Sequence, residues 1–398
     1  MTAEIAILNK RGIVLASDSA STIGGNKVYN TAKKIFTLDS KHSIGIMIYG
    51  NAEFMDTPWD VIIGEYRKEQ AGNTLASIDD YSDSFFEFLK KQDYLKKTEI
   101  EDNYVYRYMN RVIEFIFENS QLGINEILSK GGQVSNSKLI ELLKIEIDKI
   151  NIDFSNNSDI ISIDKTEFQT RYTEIFNHVL RNISNVDEAS DALYTDLFNL
   201  IYTTIKKENL FIPSSGIVIA GYGTEELFPS LRSFHLSAFV MGNLNCSNRE
   251  NVKIEYLNGH YPSTIVPFAQ VDVIHTVVQG IDPQLSQFLA NQTSRFKGGD
   301  LNSYQDVIKE LARMQNNIID PMLDMISLLP VEETSVIAET LLNLTSFKRK
   351  YSNSIETVGG PIDVLAITPN EGPIWIKRKQ YFKLDDNLGY KIRRDSNG

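Results

Sequence analysis

The chain has 398 residues, with 40 basic against 52 acidic side chains and a formal net charge of −12, which excludes a dominant nucleic-acid binder because phosphate neutralisation needs a basic surface. An apolar share of 42% with 10% aromatics is globular, and 23 glycines with 11 prolines are too few for a low-complexity or fibrous chain. The length allows two to three domains at roughly 150 residues each, or one core carrying a large insertion, and the single cysteine, Cys246, excludes an intrachain disulfide.

A basic start followed by an apolar run is missing from the first twenty residues, and no stretch approaches the roughly 18 apolar residues of a membrane helix. A soluble, cytoplasmic protein is expected. Residues 3–8 and 13–17 are short Ile- and Val-rich runs around Asn9, Lys10, Arg11 and Gly12, which predicts a hairpin. A second pair, 34–38 and 44–49, flanks the polar turn 39–42 and is closed by Gly50. Thr57, Pro58 and Asp60 then supply an N-cap, a proline at the first helical position and an acid in the first turn, leading into Val61, Ile62 and Tyr66.

From about 70 to 210 the pattern is helical and polar. Val105, Met109, Val112 and Ile116 recur at helical spacing, as do Leu139, Leu143, Ile147 and Ile150, and Leu193, Leu197, Leu200 and Thr204, each series marking a face packed against other helices. Strands return at 216–223, with a partner at 231–239 after a turn at 224–229. Helices follow over 270–329 and from Val331, where Ile337, Leu341 and Leu344 mark one face, and the last strands are 362–367 and 374–377. Segregated runs of strands and helices argue for α+β with antiparallel sheets rather than alternating α/β.

Several chemistries are excluded. The five histidines, His42, His178, His235, His260 and His275, never fall three to five apart, so no metal pair is written into the sequence. Neither a phosphate-binding G-x-x-x-x-G-K-[ST] loop, nor a strand-linked G-x-G-x-x-G, nor a G-x-S-x-G elbow occurs. What remains is the front of the chain. Once Met1 is removed, Thr2 leads, and a neutral α-amine, with an ordinary pKa near 7.7 to 8.0, serves as general base for a threonine hydroxyl. In an antiparallel hairpin whose paired numbers add to about 21, Ala3 lies opposite Asp18 and Thr2 opposite Ser19, which brings a carboxylate beside that amine. A nearby ammonium would keep the amine neutral by like-charge repulsion, and Lys34, opening the third strand, is the candidate, which the strand pattern alone does not place beside Asp18.

Thr2, the turn at Gly12, Ala16-Ser17-Asp18-Ser19 and Thr31-Ala32-Lys33-Lys34-Ile35 together resemble the start of the catalytic β subunits of the proteasome and of the peptidase subunit of its bacterial two-component counterpart, which are N-terminal-nucleophile hydrolases. The resemblance implies Thr2 as nucleophile, Asp18 as supporting acid and Lys34 as the lysine that tunes the site. It extends to IGIMIYGNAEF at 44–54, similar to the family's strand ending in a Gly-Gly-x-Ala turn, and so implies backbone N–H groups of Tyr49 and Gly50 as oxyanion donors. Gly50 and Ala52 match that turn, whereas Tyr49 stands where its first glycine falls, and the tyrosine ring must point away from the groove or narrow it. Segments 216–223 and 356–367 also look familial; the family's supporting acid and serines fall on unlike residues here, and Ser354 and Glu356 in the late loop, with Ser19 beside Asp18, are the candidates for supporting roles.

The fold so implied is a four-layer αββα sandwich, α+β, with two mainly antiparallel sheets: a first half over 1–69, a helical insertion over 70–210 and a second half over 211–398. The function expected is a threonine peptidase without cofactor or metal. The alternatives are a non-catalytic assembly or interaction subunit and an amidase acting on a small amide. The resemblance further implies a homo-oligomer and an ATP-dependent unfoldase partner.

Overall fold

The computed structural model describes residues 2–23, 27–38, 41–183, 191–257, 259, 262–295, 301–352, 358–380, 382–383, 387 and 389. In chain order the elements are β1 (Ala3–Asn9), β2 (Gly12–Ser17), β3 (Ser21–Ile23), β4 (Lys27–Tyr29), β5 (Ile35–Thr37), β6 (Ile44–Gly50), β7 (Glu53–Phe54) and β8 (Thr57–Pro58). There follow α1 (Trp59–Gln70), α2 (Ile78–Lys91), α3 (Thr98–Ser129), α4 (Asn136–Ser155), α5 (Lys165–Ile183) and α6 (Asp191–Ile205). The remainder is β9 (Ser215–Gly221), β10 (Ser230–Val240), β11 (Asn243–Lys253), β12 (Thr264–Ala269), α7 (Asp272–Gln279), α8 (Pro283–Arg295), α9 (Leu301–Leu328), α10 (Val331–Lys350), β13 (Asp363–Thr368) and β14 (Gly372–Lys377).

The protein is α+β with two five-stranded antiparallel sheets, ordered β12-β1-β2-β13-β14 and β11-β10-β9-β6-β5. Three apolar cores follow from the period of two along the strands. Ala6 and Leu8 of β1, with Ile13 and Leu15 of β2, meet Met47, Val218 and Ala220 of the second sheet. The alternate residues Ile5, Ile7, Val14 and Ala16 pack instead on Ile274, Ile326, Ala338 and Leu342 from α7, α9 and α10. On the far side of the second sheet, Ile46, Ile217 and Ile219 join a large core with the helices from α1 to α6. Every residue of β1 and β2 is buried. At roughly 1.5–3 kcal/mol for each fully buried large aliphatic side chain, these strands have both faces pinned.

The expected helical stripes are on the inside: Val105, Met109, Val112 and Ile116 are fully buried, and Leu193, Leu197, Leu200 and Thr204 nearly so. Ser77 caps α2 by accepting from Asp80 N, and Ser135 caps α4 by accepting from Lys138 N. Three local expectations are corrected. Thr57 does not cap α1, because the two-residue pairing of β7 with β8 takes Thr57 and Pro58, and the Thr57 hydroxyl donates to Met55 O. Val61 faces outward, the buried side of α1 being Trp59, Ile62, Ile63 and Tyr66. On α10 the buried face runs through Thr334, Ala338, Leu341, Leu342 and Thr345, which leaves Leu344 exposed.

Candidate functional site

β1 and β2 pair with Glu4 opposite Ser17 and Leu8 opposite Ile13, the expected register, and Asp18 N continues the ladder by donating to Ala3 O at 3.1 Å. Even-numbered residues of β1 face the second sheet, so Thr2 and Glu4 stand on the same side, one residue skipped between them. Thr2 is 5% exposed; its hydroxyl donates to Glu4 Oε2 at 2.9 Å, and its carbonyl accepts from Gln270 N at 3.2 Å.

Asp18 is buried and crowded with donors. Oδ1 accepts from Ala3 N at 3.2 Å, and Oδ2 accepts from Ala20 N at 3.2 Å and from Gly359 N at 3.0 Å. Lys34 Nζ closes on Asp18 Oδ1 in a direct ion pair and lies 3.4 Å from Glu4 Oε1. The Lys34 backbone is held in turn, its carbonyl accepting from Ile48 N at 2.9 Å on β6. Thr2, Glu4, Asp18 and Lys34 therefore form one buried polar cluster at the end of the space between the sheets, its members supplied by β1, β2 and β5 or their extensions. Burial pushes the Glu4 carboxyl from 4.5 up to about 8; Lys34 pulls against the rise and Asp18 adds to it.

A cleft of about 330 Å³ opens over this cluster, bordered by Thr2, Thr31, Lys34, Gly50, Ala52 and Trp59. Gly50 has φ +79°, and a Cβ there would lie 2.4 Å from Ser214 O, so only glycine fits at this corner of the cleft. Tyr49 borders the same opening. Its ring, however, turns between the sheets, 5.4 Å from Phe268 and lying over Gly216, where a Cβ would meet it at 2.0 Å. His235 Nδ1 accepts from Arg249 Nε at 3.1 Å, which leaves the Nε2 hydrogen to donate to the Tyr49 hydroxyl at 3.0 Å. Burial raises the Tyr49 phenol, with the Glu4 charge adding to the effect, and burial lowers His235. The ring is thus anchored away from the groove.

Of the remaining expected site residues, Ser19 is fully buried and directs its hydroxyl to the Pro361 carbonyl rather than toward Thr2. Ser354 and Glu356 lie outside the described residues, as does Met1. Glu4 is the member that sequence reasoning missed. Its signal was present: one carboxylate in an otherwise apolar strand, two residues after the threonine and hence on its face. Among the described residues no group of three or more metal-ligating side chains occurs, and no helix is long and apolar enough to cross a membrane.

No family model matches the chain, and no curated protein matches it. Among solved structures it is similar to a helical assembly of the Anbu complex from Pseudomonas aeruginosa, at 10% identity and TM-score 0.35 over 99% of this chain and 92% of that one. It is also similar to Anbu, the ancestral beta-subunit, from Yersinia bercovieri, at 11% identity and TM-score 0.31 over 99% of this chain and 95% of that one. Likeness this slight assigns neither a family nor an activity. The family resemblance drawn from the motifs is accordingly corrected: matching residues at the front of the chain are not accompanied by a match to any family model, and membership of the proteasome β-subunit family is withdrawn.

Proposed function

We propose that the chain is an amidohydrolase, most simply a threonine peptidase, in which Thr2 Oγ1 attacks the amide carbonyl after Met1 is removed. The observation that carries this reading is the Asp18–Lys34 ion pair standing against a threonine at the floor of a cleft. In this reading Thr2 is the nucleophile, its own α-amine the proton carrier, Asp18 the acid that holds the Lys34 ammonium in place, and Lys34 the cation that poises that amine. Backbone N–H groups at Tyr49 and Gly50 steady the oxyanion, and water releases the acyl group. A small amide is the second substrate reading, favoured by a cleft of about 330 Å³, the low end for ligand pockets.

The proposal includes helices, sheet, sheet and helices stacked as four layers, in keeping with a core between the sheets and one on the outer side of each. It keeps the division of the chain at 69/70 and 210/211, a cytoplasmic setting, self-association into a homo-oligomer and an ATP-dependent unfoldase as a partner to be sought. The test is exposure of the purified protein to a hydroxyl-directed β-lactone, followed by peptide mapping. Labelling at Thr2 in the parent, absent in Thr2→Ala and strongly reduced in Lys34→Ala, is expected; equal labelling of all three removes the site. Intact mass of the chain from cells adds a second check, a fully retained Met1 favouring a non-catalytic assembly subunit.

A further inference from the structure

Two carboxylates lie in the cluster, and they are not equivalent. The oxygens of Asp18 are occupied by three backbone N–H groups and the Lys34 ammonium. Glu4 is fully buried, and among the described residues its carboxylate meets the Thr2 hydroxyl through Oε2 and Lys34 through Oε1. A carboxylate taken out of water costs several kcal/mol, and at this position it is not repaid by backbone amides, so ordinary folding gives no reason to put one there. A Leu or Val would continue the apolar face that Ala6 and Leu8 begin.

We infer that Glu4 is a catalytic residue, the general base that takes the Thr2 hydroxyl proton. The inference rests on Thr2 as nucleophile and reassigns the proton from the amine to this carboxylate. As the bond from Thr2 Oγ1 to the amide carbon forms, the hydroxyl proton passes to Glu4 Oε2 along the existing 2.9 Å hydrogen bond. When the C–N bond breaks, Glu4 returns that proton to the leaving amine. It then takes a proton from the incoming water, the ester to Thr2 is cleaved, and the proton goes back to Thr2 Oγ1 as the carboxylic acid departs. Protons and bonds balance without cofactor or oxidant, and the hydroxyl is activated whether or not the amine is free.

The surroundings suit a base that works near neutrality. Burial lifts Glu4 to about 8, Lys34 holds it from rising further, and Asp18 and Tyr49 face it from β2 and β6. Lys379, ion-paired with Asp363 on β13, is the next charge outward.

The decisive comparison is the rate of β-lactone labelling at Thr2 against pH for the parent and Glu4→Gln, which keeps shape and hydrogen bonding but accepts no proton. The parent rate is expected to rise with pH and level off above about 8, and Glu4→Gln to be slower by about 10²–10⁴-fold with that rise gone. A Glu4→Gln variant that labels at the parent rate with the same inflection overturns the inference and leaves Thr2 standing as nucleophile. A parent that is never labelled at Thr2 overturns the functional reading itself. If Glu4→Gln does not fold, Glu4→Asp decides: with its carboxylate set back by one methylene it should label at least about tenfold slower while keeping the inflection, and an unchanged rate refutes the role.

Discussion

The buried Glu4 carboxyl ties stability to pH in a direction opposite to that of most carboxylates. Its ordinary pKa of 4.5 is pushed to about 8 in the folded chain, chiefly by burial. Between those values the folded protein holds a proton that the unfolded chain has released. The stability so contributed is fully present below pH 4.5 and is lost as pH rises through about 8. At about 1.4 kcal/mol per pH unit the loss sums to roughly 5 kcal/mol over the window. Glu4→Gln replaces the carboxyl with a neutral amide of the same shape and abolishes this dependence. Urea unfolding of parent and variant at pH 5, 6.5 and 8 measures it. The variant should gain on the parent by about 4 kcal/mol between pH 5 and pH 8, because a constant change in packing or in the contact with Lys34 shifts the curve without tilting it. Stability curves that stay parallel within about 0.5 kcal/mol across that range would refute the buried, proton-holding carboxyl.

Lys34→Met leaves Asp18 and Glu4 sharing a buried space without their cation, and should cost about 3–5 kcal/mol in denaturant unfolding at pH 8, with a smaller loss at pH 5 where Glu4 is protonated. Gly50→Ala puts a side chain at φ +79° and 2.4 Å from Ser214 O, so a loss of about 2–4 kcal/mol is expected in the same assay, and an unchanged unfolding midpoint contradicts the geometry of that corner. Met109→Ala opens a cavity in the core that α3 shares with the second sheet and should cost about 2–5 kcal/mol; coincident far- and near-ultraviolet circular dichroism transitions are expected because helices and sheet are joined by one core.

The parts legible from sequence are those where one physical signal acts alone. The β1–β2 register followed from a four-residue turn between two apolar runs, and it alone set Asp18 beside Ala3. The stripes of α3 and α6 were legible because each packs a single face inward. β11 was missed, because NLNCSNRENVK is polar and sits at the edge of its sheet, where half-exposed strands carry little hydrophobic alternation. β12 was missed as well, since Pro267 argues against a strand; at the sheet edge, the missing N–H costs no ladder bond. Glu4 is hard to read from sequence because a single carboxylate in a short apolar run carries no periodic signal, and only the burial of both faces of β1 makes it exceptional. On α10 the expected face was partly right: Leu341 is buried and Ile337 packs against the same core, but the inward stripe continues through Thr334, Ala338, Leu342 and Thr345 and leaves Leu344 outside, because small and hydroxylated residues carry part of the contact with the sheet.

The first sheet draws β1 and β2 from the front of the chain and its other three strands from residues 264–377. Gly359 N, which caps the Asp18 carboxylate, likewise comes from the far end. A ribosome must therefore release nearly the entire polypeptide before β1 and β2 gain the rest of their sheet and Asp18 its Gly359 amide, even though Glu4, Asp18 and Lys34 emerge with the front of the chain. Such long-range closure slows folding, and it leaves Asp18 one backbone donor short until the residues around Gly359 arrive. In a nascent chain the front hairpin thus waits for flanking strands written at the other end.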